Sequence, residues 1–276
     1  MQRLARISLL LALAWSMPAA AQDEPLTLAD DPFEITDPIA APPGEAELSV
    51  VGIYERARRG RHRGTVALQT EFEAGVFPGL AFRIGQEGAY GNLQTRRRLD
   101  AADSGETGDS NTPAWGGATR IGALYQIADG SGVLPAIGLL GRVRAIYGPG
   151  RPAQEGDLVA LFGKTLGRGE RPLGINLNLG WTTLFAPLPG ERAGRYFVNA
   201  SVGQAVARDT VLVLTYVREQ QERGERDFSL VQAGIRHRLE RGGSVLGVAL
   251  GAGIGRDSPA FQIGFAVQWP FGLARR

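Results

Sequence analysis

The chain has 276 residues, a formal net charge of +2 and no cysteine, which excludes disulfides and thiolate metal sites. Arg3 and Arg6 fall in an N-terminal targeting segment, so the remainder is about neutral by count and lacks the basic excess of a nucleic-acid binder. The 39 glycines favour tight turns and close-packed strands over helices.

Residues 1–6 carry both early arginines, residues 7–17 are mostly apolar, and Pro18-Ala19-Ala20-Ala21 offers a small-residue cleavage site. This three-part pattern predicts a secretory signal peptide over residues 1–21. Beyond Met17 no apolar run is long enough for a helical span, so a membrane crossing has to be made by strands. Residues 22–44 are acidic and proline-rich, with Asp23, Glu24, Asp30, Asp31, Glu34 and Asp37 and no basic residue. They are predicted to form a disordered periplasmic leader, with a plug or a partner-binding arm as the alternative.

Residues 45–276 read as a succession of alternating segments. In residues 65–77, Val66, Leu68, Phe72, Ala74 and Val76 alternate with Ala67, Gln69, Glu71, Glu73 and Gly75. A strand sends such sets to opposite faces. Pro78-Gly79 turns into residues 80–90, where Leu80, Phe82 and Ile84 oppose Arg83 and Glu87. Residues 134–147 set Ile137, Leu139, Val143 and Tyr147 against Arg142 and Arg144, whereas residues 157–166 show no assignable phase. Residues 173–185 alternate clearly, and residues 260–271 place Phe261, Ile263, Phe265, Val267, Trp269 and Phe271 opposite Gln262, Gly264, Ala266 and Gln268.

Twelve such segments are predicted. Connectors after even segments are short and those after odd ones mostly long, residues 256–259 excepted. Tyr and Trp gather toward the segment ends. A soluble sandwich would alternate too, but loop asymmetry and terminal aromatics favour a closed, antiparallel, twelve-stranded transmembrane barrel with both termini periplasmic. Its partners would be the outer-membrane bilayer, lipopolysaccharide at Arg-rich loops such as residues 56–63 and 96–98, and the outer-membrane assembly machinery.

If the apolar sets face lipid, the lumen receives Glu71, Glu73 and Arg83 in its periplasmic half and Glu87, Arg120, Arg142 and Arg144 in its outer half, with arginine in excess there. Arg236 joins them from a later strand. Two roles compete: an ion-pair network that fills and stiffens the interior, or a constriction that selects solutes. A lipid hydrolase would need a nucleophile beside a base. The only histidines, His62 and His237, lie far apart with no serine placed to pair with either, so neither catalysis nor a metal or other cofactor is predicted.

Two patches carry a family resemblance. Residues 71–82, with acidic positions before Pro78-Gly79 and an amphipathic strand after it, and residues 258–265, leading into the aromatic-ended last segment, resemble the outer-membrane barrels grouped as transporters of the meta-cleavage pathway of phenol degradation. The layout resemblance covers residues 45–271. It implies a passive channel for small aromatic or other hydrophobic molecules, with anionic solutes the other class suggested by the arginines. The alternative is a non-transporting structural or surface-binding barrel closed by ion pairs.

Overall fold

The computed structural model describes residues 28, 30, 32–93, 113–149, 152–167, 171–239 and 243–273. The signal-peptide region and Arg96–Arg98 lie outside them. Twelve strands close into one antiparallel barrel: β1 (Glu45–Arg56), β2 (Gly64–Phe77), β3 (Leu80–Gly91), β4 (Ala114–Asp129), β5 (Ala136–Tyr147), β6 (Ala153–Leu166), β7 (Leu173–Phe185), β8 (Gly194–Ala207), β9 (Thr210–Glu219), β10 (Phe228–Arg238), β11 (Val245–Gly253) and β12 (Phe261–Gly272). Each strand pairs with its sequence neighbours, and β1 closes on β12 with Val50 opposite Val267. Closure leaves no unpaired edge, which is the condition for a sheet to lie in hydrocarbon.

Alternation sets the two faces. On β12, Phe261, Ile263 and Phe265 are exposed on the outside, while Gln262, Ala266 and Gln268 are buried inside. Trp115 and Trp181 stand out near the end of the barrel that carries the connectors after odd strands, hereafter the loop end. Phe77 and Tyr125 do so near the opposite, turn end. In water each such side chain would forgo about 1.5–3 kcal/mol of burial. In lipid it loses nothing, and rings at both headgroup levels anchor the wall.

The Pro78-Gly79 hairpin shows how local chemistry fixes register. Proline presets the first turn position, and Gly79 takes the second at a φ of 76°, a conformation open to glycine. Phe77 then faces Leu80, and the β2–β3 ladder runs to Thr65 opposite Gly91. That register sets Glu73 beside Arg83 and Gln69 beside Glu87 on the inner face.

One strand departs from the sequence expectation. β6 begins at Ala153, inside what reads as a loop, and so brings Glu155 onto the wall opposite Arg144. Its phase is hidden in the sequence because both faces are apolar: Val159 and Leu161 are buried inside, while Leu158 is exposed outside. β9, found where the sequence places it, also has two apolar faces, with Val211 and Val213 inside and Leu212 and Leu214 outside.

Candidate functional site

Inward apolar side chains have a physical reason. The described leader residues do not hang free of the barrel; they run through the turn-end half of its lumen. Leu28 joins a buried cluster with Ala205, Val211, Val213 and Val245. Phe33 packs with Val51, Ile53, Ala249 and Ala266, and Ala40 with Ala81, Leu124, Leu140, Val159 and Leu161. These wall positions face a protein segment rather than water, so the hydrophobic effect favours apolar residues there.

Polar contacts fix the path. The Arg236 guanidinium pairs with the Asp30 carboxylate at 2.9 Å, donates to the Asp30 carbonyl at 2.8 Å and to Gln268 Oε1 at 2.9 Å. Gln268 Nε2 in turn donates to Glu47 at 3.1 Å. Asn199 Nδ2 donates to the Glu34 carbonyl at 2.9 Å, Gln126 Oε1 accepts from the Ala40 amide at 3.2 Å, and Glu73 accepts from the Ala41 amide at 3.1 Å.

Glycines in the wall make room. A Cβ on Gly264 would lie 2.6 Å from the Phe33 ring, and one on Gly138 would lie 2.8 Å from the Pro38 carbonyl oxygen. Gly264→Leu is therefore expected to unseat Phe33 while leaving a closed ladder. Because the chain has no native cysteine, Thr36→Cys supplies a single maleimide target. Labelling of that reporter in membrane vesicles should be slow in the parent and clearly faster beside Gly264→Leu; equal rates would mean the notch does not hold the leader.

Alongside the leader, lined from Glu45, Glu47 and Pro270 at the turn end to Tyr196 and Glu219 toward the loop end, lies a cavity of about 380 Å³. Its wall carries the charged groups expected from the sequence. Arg83 pairs with Glu73 and, at 3.4 Å, with Glu71. Gln69 Nε2 donates to Glu87 at 2.9 Å. Arg142 holds the Asp157 carboxylate at 2.7 Å, and Thr182 Oγ1 donates to the other oxygen of that carboxylate at 2.7 Å. Glu155 sits between Arg144 and Arg195, and Arg195 reaches on to Glu222 at 3.3 Å. Glu222 also accepts from the Arg192 amide at 2.7 Å, tying the β9–β10 loop to the β7–β8 loop.

The expected arginine excess in the loop-end half is therefore corrected. Arg142 and Arg144 are neutralised by Asp157 and Glu155, two carboxylates on the strand whose phase the sequence conceals. Arg120 is different: its guanidinium faces the cavity without an ion pair among the described residues, and its buried Nε has no acceptor. Arg236, expected in the same polar lining, instead anchors the leader. Asp157, Glu155, Arg195 and Thr182 are site residues that sequence reasoning missed. The one available signal was Glu155 and Asp157 at a spacing of two, which shares a face in any strand.

The histidines stand apart from this site. His237 Nδ1 lies 2.9 Å from Thr210 Oγ1 on the exposed outer face, and the His62 carbonyl accepts from Asn92 Nδ2 at 3.2 Å. Among the described residues no three His, Cys, Asp or Glu side chains are grouped to hold a metal.

No family model and no curated protein matches the chain. Solved structures do. The chain is similar to the COG4313 outer membrane channel from Pseudomonas putida F1, at 13% identity and a TM-score of 0.57 over 87% of this chain and 100% of that one. It is also similar to the β domain of the Bordetella autotransporter BrkA, at 9% identity and a TM-score of 0.51 over 82% and 98% of the two chains. The fold is that of an outer-membrane β-barrel. A KdgM porin matches more loosely, at 8% identity and a TM-score of 0.47 over 81% and 98% of the chains. Closed ladder, apolar outer belt and ring positions together put this barrel in the outer membrane.

Proposed function

We propose that the chain is a narrow outer-membrane channel through which small solutes pass passively, along the cavity between the seated leader and the charged wall. One observation carries this reading: inside a closed barrel, the space left by the leader is a polar cavity of about 380 Å³ rather than a packed core. Twelve strands lie between eight-stranded barrels, which side chains fill, and sixteen-stranded ones, which leave an open aqueous channel. The paired residues Arg83, Glu71, Glu73, Arg142 and Arg144 then hold the wall rigid, while Glu87 and Arg120 border the solute path.

The resemblance of residues 71–82 and 258–265 supports small aromatic or hydrophobic solutes as cargo, and similarity to a solved outer-membrane channel supports transport over catalysis. No enzymatic role is assigned to Thr210 and His237. Lipopolysaccharide at the loop end and the assembly machinery complete the proposed partners. Purified protein in planar bilayers should give discrete conductance steps. A second reading, a barrel closed by its leader and ion pairs, is favoured by the leader's occupancy of the turn-end half; folded protein with no conductance would establish it instead.

A further inference from the structure

We propose that the lumen is cation-preferring, and that the solutes it admits most readily are small cations, inorganic or ammonium-bearing. The inference rests on the channel reading and departs from its cargo: charge, rather than aromatic character, decides entry. Among the described residues, ten carboxylates and five guanidinium groups line the cavity. The ion pairs at Arg142, Arg144 and Arg195 cancel locally, Arg236 cancels Asp30, and Arg83 balances one of its two carboxylate partners, Glu71 and Glu73. What remains outside ion pairs includes Asp37, Glu45 and Glu47 on the acidic side and Arg120 on the basic side. Asp37 takes only the Ile39 amide, at 2.8 Å, and Glu47 only a neutral amide, that of Gln268. A narrow passage with low-dielectric walls focuses the field of such leftover charge.

A second feature points the same way. Asn178 and Asn199 face each other across the β7–β8 ladder, are 3% and 4% exposed, and line the same cavity. The Oδ1 atom of each is buried and accepts no hydrogen bond. These two buried acceptors, beside the Glu34 carbonyl that Asn199 already holds, add uncompensated negative potential just behind the cavity wall. That potential favours an ammonium group or a partly hydrated metal cation in the cavity over an anion.

Acidity of the site supports this geometry. Burial, followed by the nearby Asp30 charge, pushes the Asp37 carboxyl up to about 7, against the opposing pull of its Ile39 hydrogen bond and of Arg236 and Arg83. Asp37 is thus largely neutral at pH 6 and ionised at pH 8. Cation preference should therefore strengthen as pH rises across that interval.

The test is the reversal potential of the full-length mature protein in a bilayer under a potassium chloride gradient at pH 8. Potassium favoured several-fold over chloride is expected, with Asp37→Asn combined with Glu47→Gln bringing the ratio toward one. Liposome swelling should likewise be faster in lysine than in glutamate, a pair differing chiefly in charge. Conductance with no preference, or with chloride favoured, overturns the inference alone. Equal entry of lysine and glutamate overturns its extension to organic cations. Absence of any conductance removes the channel reading and this inference with it.

Discussion

Replacing Glu155 with glutamine is expected to destabilise the barrel by about 3–5 kcal/mol, the usual cost of breaking a buried charge pair from one side. The Glu155 side chain is 1% exposed and is held by two guanidinium groups, Arg144 and Arg195, whose own side chains are 12% and 10% exposed. A neutral amide leaves Arg144 with no carboxylate in direct contact, because Asp157 is already engaged by Arg142. Arg195 keeps Glu222, but at 3.3 Å and through a loop residue. Urea unfolding followed by heat-dependent gel mobility gives the measurement. Arg144→Met in the Glu155→Gln background should recover a substantial part of the loss, since it removes the stranded charge. If the single variant unfolds like the parent, the pair is solvated and the wall is not held by it.

That prediction depends on a residue the sequence did not offer, and the reason is instructive. Strand number, connector asymmetry and outward phase are legible wherever one face meets lipid and the other meets water or charge. β12 and β3 are such strands: Phe261, Ile263 and Phe265 outside against Gln262 and Gln268 inside, or Phe82 and Ile84 outside against Arg83 and Glu87 inside. Periodicity fails where both faces meet apolar matter. β6 carries Val159 and Leu161 inward because Ala40 of the leader packs there, so the strand reads as uniformly apolar. Its first residues, Ala153–Gly156, then look like loop, and Glu155 disappears from view. The same cause explains the expected surplus of positive charge: the arginines of β5 are visible in their alternating phase, their partners on β6 are not. The leader itself is illegible for another reason. Asp30, Phe33 and Pro38 show no period because their conformation is dictated by the wall, through Arg236, Gly264 and Gly138. The complementary half of that pattern is spread over several strands.

Deleting residues 28–42 behind an intact signal peptide should raise single-channel conductance several-fold and admit solutes the parent excludes. The described leader runs through the turn-end half of the lumen, and the β1–β12 ladder, which begins at Glu45 opposite Gly272, lies outside the deletion and loses only the Glu45 amide's 3.0 Å bond to the Pro42 carbonyl at its first residue. A point variant separates loss of the obstruction from any wider effect of the deletion. Phe33 is 7% exposed in its cluster, so Phe33→Ala should weaken seating by about 3 kcal/mol. A penalty of that size shifts the balance between seated and unseated leader roughly a hundredfold. Brief large-conductance openings should then appear on a background of the parent's level, with their frequency rising further when Asp30→Asn removes the Arg236 ion pair. The two substitutions touch different walls, Phe33 against β1, β11 and β12 and Asp30 against β10, so their effects on opening frequency should multiply. If conductance is unchanged by both the deletion and the pair of substitutions, solutes already bypass the leader, and the route must run wholly along the β3–β8 wall where Arg120, Asp157 and Asn178 stand.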